Sequence, residues 1–269
     1  MLPDINMDLT MLAAKTIEFV LARQKGDGGF GATPYLPSTV EDTYFGLSLL
    51  DMLTPAPNGK GETRERIARS VHYLEGLKPR ANWSPKTFFY YVLGRRIVGL
   101  KTRRETLNFS PRDKTAHEWD LEDLYYLLEA RNEVGFDPLD LEKLGVSRID
   151  FGQWRTAKEL WLKLSVTELT GADRRPDRDN AITWVAQCQN PDGGFGFYPG
   201  TTSFIENTHI CLTVLTMLNA SPADPMAAVD FILRCKTGRG GFARKNGGAP
   251  FLDATWHAIT SLKLLSALR

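Results

Sequence analysis

The sequence predicts an all-α protein: six helical hairpins closed into a ring around a central cavity, an (α/α)6 toroid. A recurring segment is the first observation behind this. Gln24-Lys-Gly-Asp-Gly-Gly-Phe30 is followed by Glu41-Asp-Thr-Tyr44, Gln189-Asn-Pro-Asp-Gly-Gly-Phe195 by Glu206-Asn-Thr-His209, and Lys236-Thr-Gly-Arg-Gly-Gly-Phe242 by Asp253-Ala-Thr-Trp256. In each copy ten residues separate the Phe from the acidic residue. Spacing is the second observation. Phe30 to Phe195 is 165 residues and Phe195 to Phe242 is 47, so the first gap has room for about four units of roughly forty residues, the length of stacked helical pairs. The third is that the terminal copies are the best preserved. An open stack ends in polar capping units, whereas alike ends favour first and last units as neighbours.

Taken in order, each unit pairs an outer with an inner helix. The first pairs 8–24, with Ile17, Val20 and Leu21 at helical spacing, with a helix starting near Glu41. The second pairs 63–77, with Ile67, Val71 and Leu74, with a helix from about residue 86 in Pro85-Lys-Thr-Phe-Phe-Tyr-Tyr-Val-Leu93. The third pairs a short 101–108 helix with one from 120, in Asp120-Leu-Glu-Asp-Leu-Tyr-Tyr-Leu-Leu128. The fourth pairs 138–145 with one from 153, in Gln153-Trp-Arg-Thr-Ala-Lys-Glu-Leu-Trp161. The last two pair 177–188 and 223–236 with helices from Glu206 and Asp253. Turn formers such as Thr54-Pro-Ala-Pro-Asn-Gly59 and Asn219-Ala-Ser-Pro222 separate elements.

The Gly-Gly-Phe turn has a structural role in this scheme. The glycines supply positive φ after the outer helix, the Phe plugs the gap between hairpins, and Asp27 and Asp192 bond the turn backbone. The acid at the next helix start is expected to cap free N–H groups. All inner-helix N-termini then share one mouth.

Bulk properties set the class. Residues 1–269 read as one domain of ordinary globular composition, 42% hydrophobic and 24% charged. A net charge of +1 gives no basic surplus for nucleic acid. Cys188, Cys211 and Cys235 sit in apolar helical patterns and read as buried thiols of a reducing compartment. No stretch of 18 uninterrupted apolar residues spans a membrane, and Met1–Arg23 does not read as a signal peptide, so the expected location is cytoplasmic.

Q-x-x-D-G-G-F-G followed by E-x-T-Y resembles the repeat of protein prenyltransferase β subunits and squalene-type terpene cyclases. The resemblance is strong in the first, fifth and sixth units and rests on spacing elsewhere. It implies the toroid and an aromatic cavity for isoprenoid chains, with prenyl transfer or acid-initiated cyclisation as the reaction. Tyr44, Phe45, Phe88, Phe89, Tyr90, Tyr91, Tyr125, Tyr126, Trp154, Trp161 and Trp256 all fall on expected inner helices. They could line such a cavity, where π-faces stabilise cations, or fill the ring as core.

Zinc-dependent members of the family place an Asp and a Cys as D-x-C-Y, with a later His. Here Asp253-Ala-Thr255-Trp256 lacks the thiolate, so that ligand set is incomplete. A looser zinc set is Glu206 and His209 at i, i+3 with Asp253 and His257 at i, i+4; alternatively the histidines occupy the aromatic slot of the repeat. The cyclases protonate with a D-x-D-D motif. Asp120-Leu-Glu122-Asp123, after His117 and Trp119, resembles it with Glu122 in the donor place; a carboxyl among aromatics has a raised pKa, although Glu122 also matches the helix-start register. Arg244 and Lys245 lie loosely where the family binds diphosphate. The basic run Lys78, Arg80, Arg95, Arg96, Lys101, Arg103 and Arg104 could receive diphosphate or an acidic partner, or be a solvated face. Two other readings follow: a non-catalytic toroid that binds a lipid or protein, and a β-like subunit whose protein partner would cover an exposed apolar patch on the outer helices.

Overall fold

The structure, a computed structural model, describes residues 5–54, 62–80, 82–102, 120–135, 149–172 and 175–267. These residues form α1 (Ile5–Leu21), α2 (Val40–Leu53), α3 (Glu62–Gly76), α4 (Pro85–Ile97), α5 (Leu121–Glu133), α6 (Ala157–Thr170), α7 (Arg178–Gln187), α8 (Ile205–Met217), α9 (Pro225–Arg234) and α10 (Leu252–Ala267). Six of them, α2, α4, α5, α6, α8 and α10, pack each against the next, and α10 returns to α2. The ring is closed. Outside it, α3 contacts α2 and α4, α7 contacts α8, α9 contacts α10, and α1 contacts both α2 and α10 across the closure.

The inner helices bury residues on more than one face because they have neighbours on both sides. In α2 the buried residues include Phe45, Leu47, Leu49, Leu50 and Leu53. The outer helix α9 is one-sided: Ala228, Val229, Phe231 and Ile232 are buried while Asp230 is exposed. Inner-helix starts are set by caps. The side chains of Thr39, Ser84, Asp120 and Thr156 accept from the backbone N–H of Asp42, Thr87, Asp123 and Glu159. This corrects the expectation that the acid itself caps: the cap stands two residues before the rim position, which is thereby released to face the ring's mouth.

The repeat is one set of contacts made three times. Phe30, Phe195 and Phe242 are fully buried, and their N–H groups each donate 3.0 Å to a Thr hydroxyl thirteen residues on, Thr43, Thr208 and Thr255. That bond is why Phe and acid-x-Thr keep a fixed spacing. Asp27 and Asp192 accept from Gly29 and Gly194 at 2.9 and 3.0 Å. The first glycine of each pair has φ of 90°, 86° and 90° (Gly28, Gly193, Gly240). A Cβ there would stand 2.2, 2.0 and 2.2 Å from the carbonyl oxygens of Arg69, Ala227 and Lys15, each on the next unit's outer helix. The last of these is α1, so the sixth unit docks on the first as the first docks on the second. Trp256 Nε1 donating to Ser48 Oγ at 3.0 Å joins α10 to α2 at the same seam.

The expected outer helices 101–108 and 138–145 lie outside the described residues, apart from Lys101 and Thr102, which are not helical. Five inner helices start within a residue of expectation. The fourth starts at Ala157 and not near 153: Phe151 and Gly152 form a turn, and Thr156 caps the helix after it. Among the described residues the three cysteines are free and buried, and no helix is long and apolar enough to cross a membrane.

Candidate active site

The ring encloses a cavity of about 970 Å³ that opens at the inner-helix N-termini, at the upper end of the ~300–1,000 Å³ of small-molecule sites. Its lining follows from helix periodicity. The second residue of every inner helix, Glu41, Lys86, Glu122, Lys158, Glu206 and Asp253, borders the mouth. One turn further in, three and four residues on, come Tyr44 and Phe45, Phe89 and Tyr90, Tyr125 and Tyr126, Trp161, His209 and Ile210, Trp256 and His257. Thr213, Thr260 and Leu264 lie deeper. The wall is thus a charged rim over an aromatic belt.

The belt is continuous around most of the ring. Trp161 meets Tyr125 at 4.8 Å between centroids, Tyr126 meets Tyr90 at 5.9 Å, Tyr90 meets Tyr44 at 5.0 Å, and Phe45 meets Trp256 at 5.4 Å. Burial raises the phenol pKa values of Tyr90, Tyr125 and Tyr126, so these rings remain neutral with electron-rich faces.

Beside Trp256 the belt ends in a histidine pair. His209 and His257 approach Nδ1 to Nδ1 at 3.1 Å, and both rings contact Trp256 at 5.0 and 5.1 Å. Burial, then the charges of Arg244 and Lys86, hold His257 down to about 3. Burial and His257 hold His209 well below the ordinary histidine value. The pair is therefore neutral near pH 7, with one Nδ1–H donating to the other Nδ1, which leaves the donor ring's Nε2 as an unprotonated base.

At the rim, charges are paired between neighbouring helices, Lys86 with Glu41 at 3.1 Å and Lys158 with Glu122 at 2.7 Å, and Arg244 in the turn before α10 pairs with Asp253 at 2.9 Å. Burial opposes the Lys86 charge, but Tyr126 and the carboxylates of Glu41 and Glu122 outweigh it and hold its ammonium above the usual lysine value. Asp42 also lines the cavity. Burial raises its carboxyl pKa, against the Thr39 hydrogen bond and with help from Glu41 and Asp253.

Measured against the sequence reading, Tyr44, Tyr90, Tyr126, Trp161 and Trp256 all face the cavity. From Asp120-Leu-Glu122-Asp123 only Glu122 does; the Asp120 carboxylate caps α5, accepting from Asp123 N at 2.7 Å. Arg244 reaches the mouth, whereas Lys245 is exposed outside the lining. Phe88 and Tyr91 turn outward onto Trp83, 5.5 Å from each, because they sit between the cavity-facing positions of α4. Trp154 precedes α6 and packs edge-on against Trp184. In the basic run, Arg95 donates to the carbonyls of Leu74 and Lys101 and Arg96 pairs with Glu133. The four-ligand zinc set is not assembled: among the described residues no three or more His, Cys, Asp or Glu side chains gather so as to hold a metal ion, since Asp253 is turned to Arg244 and the histidines to each other. The residues do not fit a family zinc. The outer helices show one exposed large apolar residue, Met226, among the described residues. Sequence reading missed Lys86, Lys158 and Asp42; the first two hold the same register as Glu41 and were findable from it.

The family model described as the prenyltransferase alpha-alpha toroid domain matches residues 1–81 and 164–269. The chain belongs to the prenyltransferase alpha-alpha toroid family. Within that fold its solved likenesses include a variant of the type II terpene cyclase MstE from Scytonema in complex with merosterolic acid A, its product, at 15% identity, a TM-score of 0.61 and 99% coverage of both chains. Another MstE variant, bound to the substrate geranylgeranyl dihydroxybenzoate, gives 13% identity, a TM-score of 0.61 and 99% coverage of both. A protein from Actinoplanes gives 11% identity and a TM-score of 0.54 over 96% of this chain and 99% of its own. No curated protein matches.

Proposed function

We propose that this chain is a single toroid domain that draws a prenyl chain into its cavity and acts on it by carbocation chemistry, as a terpene cyclase, with prenyl transfer as the related alternative. The aromatic belt carries this reading. A large cavity walled by neutral tyrosine and tryptophan faces matches a long apolar chain, and those faces stabilise positive charge as it moves along the chain. The MstE structures, one with a geranylgeranyl substrate, support it at the level of fold.

In cyclisation an acid gives a proton to one carbon of an alkene. The π pair forms the new C–H bond and leaves a cation on the neighbouring carbon. Neighbouring double bonds attack it in turn, and loss of a C–H proton to a base restores a double bond. Asp42 is our assignment for the acid: it lines the cavity, and burial with two neighbouring carboxylates favours its protonated form. Glu122 borders the same space but is ion-paired with Lys158, so it orients that lysine, while Asp120 and Asp123 set the start of α5. The neutral His209–His257 pair is our proton acceptor.

Binding is tested first, by native mass spectrometry and tryptophan fluorescence with C15 and C20 prenyl alcohols and diphosphates, and turnover by product analysis. One prenyl molecule per chain, lost in Trp256→Ala, supports the reading. Failure of every prenyl compound to bind rules it out.

A further inference from the structure

Resting on that reading, the charge arrangement of the mouth names the end of the substrate. Among the described residues the three rim cations are each paired with a carboxylate at an inner-helix start, at 3.1, 2.7 and 2.9 Å. The pairs are half-exposed, so each is worth only about 0–1 kcal/mol and a ligand could open it. Opening one does not yield a free cation site, because the released carboxylate stays at the rim. Asp42 and Glu206 add two further carboxylates to the lining. Among the described lining residues, five acids against three bases give −2 with Asp42 ionised, and −1 with it protonated.

Converging helix N-termini would by themselves favour an anion. Here the caps Thr39, Ser84, Asp120 and Thr156 each already bond one free N–H at the start of an inner helix. First-turn acids answer the dipoles of α2, α5, α6, α8 and α10. The positive end of the ring is therefore answered in part by the protein's own side chains. A diphosphate would have to lodge its charges in a rim that is already net negative, inside a narrow mouth where screening is weaker than in bulk water.

We infer that this mouth selects prenyl chains whose polar end carries no negative charge, alcohol-like or otherwise uncharged, and turns prenyl diphosphates away. The class of reaction that supplies such a substrate must therefore already have removed or replaced the diphosphate.

The test compares geranylgeraniol with geranylgeranyl diphosphate on the full chain, by tryptophan fluorescence titration at two salt concentrations. The expected result is that the diphosphate binds about tenfold or more weakly, with the gap narrowing as salt screens the repulsion. In the double variant Glu41→Gln, Glu122→Gln, which releases Lys86 and Lys158, the ratio should shift toward the diphosphate. Equal or tighter diphosphate binding by the natural chain overturns the inference, as does a double variant that leaves the ratio unmoved. If neither compound binds, the prenyl-cavity reading itself has failed, which is a separate outcome.

Discussion

The first, fifth and sixth units and the second to fourth units build the same ring by different means. The former carry the Gly-Gly-Phe turn, and in them a glycine at positive φ lets the backbone touch the next outer helix while a buried Phe is pinned by a Thr hydroxyl. The latter lack that turn. They supply Phe89, Tyr90, Tyr125, Tyr126 and Trp161 to the belt and both lysines to the rim. The family match has the same shape, covering residues 1–81 and 164–269 and passing over most of the second group. One side of the ring is specified by how units must dock, and the other by what the cavity must hold.

The sharpest test of this division exchanges an aromatic on each side. Phe195→Ala removes a fully buried ring from a docking turn and should cost about 3–5 kcal/mol. Phe89→Ala removes a ring bordering open cavity space, so it should cost about 1 kcal/mol or less while lowering prenyl affinity. Urea melts with ligand titrations measure both. Equal stability losses would break the comparison. Gly240→Ala comes next: its Cβ would meet the Lys15 carbonyl at 2.2 Å in a backbone region glycine favours, so about 2–4 kcal/mol should be lost and the α1 seam loosened. Faster amide exchange in α1 would be its signature.

The histidine pair gives a smaller, pH-dependent effect. Both imidazoles have lowered values when folded, so the unfolded chain binds more protons below about pH 6.5. Stability from this pair is full above that pH and drains away as pH falls toward about 3, where His257 protonates in the fold. Between pH 7 and pH 5 the loss from His257 alone should reach about 2 kcal/mol, and His209, lowered as well, adds to it. The charged groups around the pair are Lys86, Arg244, Asp253 and Glu206. Lys86 and Arg244 depress His257, whereas the two acids line the same cavity mouth. His257→Asn should flatten the pH dependence in this window, as urea midpoints at each pH will record.

Much of this molecule was legible in its residues, and the reasons are local. The closed ring and five inner-helix starts followed from a repeat whose spacing is a hydrogen bond, Phe N–H to Thr hydroxyl. The fourth start was misplaced because Gln153-Trp154 imitates the aromatic helix pattern, while Thr156 with Glu159, which do mark the start, carry no Gly-Gly-Phe before them. The belt could be read from the register, three and four residues after each rim position. Lys86 and Lys158 occupy that rim position too, but a search for acids passes over them. The ion pairs and the facing histidines were not legible. They depend on how far apart α2 and α4, α5 and α6, and α8 and α10 stand, and in which rotation, which no single helix encodes.

The smallest effect separates structure from selection most cleanly. Glu41 and Lys86 are each about two-fifths exposed, at 41% and 39%, so Glu41→Gln should change stability by no more than about 0.5 kcal/mol. The same substitution frees the Lys86 ammonium at the mouth and removes one of five acids from the lining. If the rim exists to choose a ligand, a thermal melt will scarcely register this variant, while diphosphate inhibition of prenyl-alcohol binding will strengthen. If the pair exists to hold α2 against α4, the melt will move and the ligand preference will not.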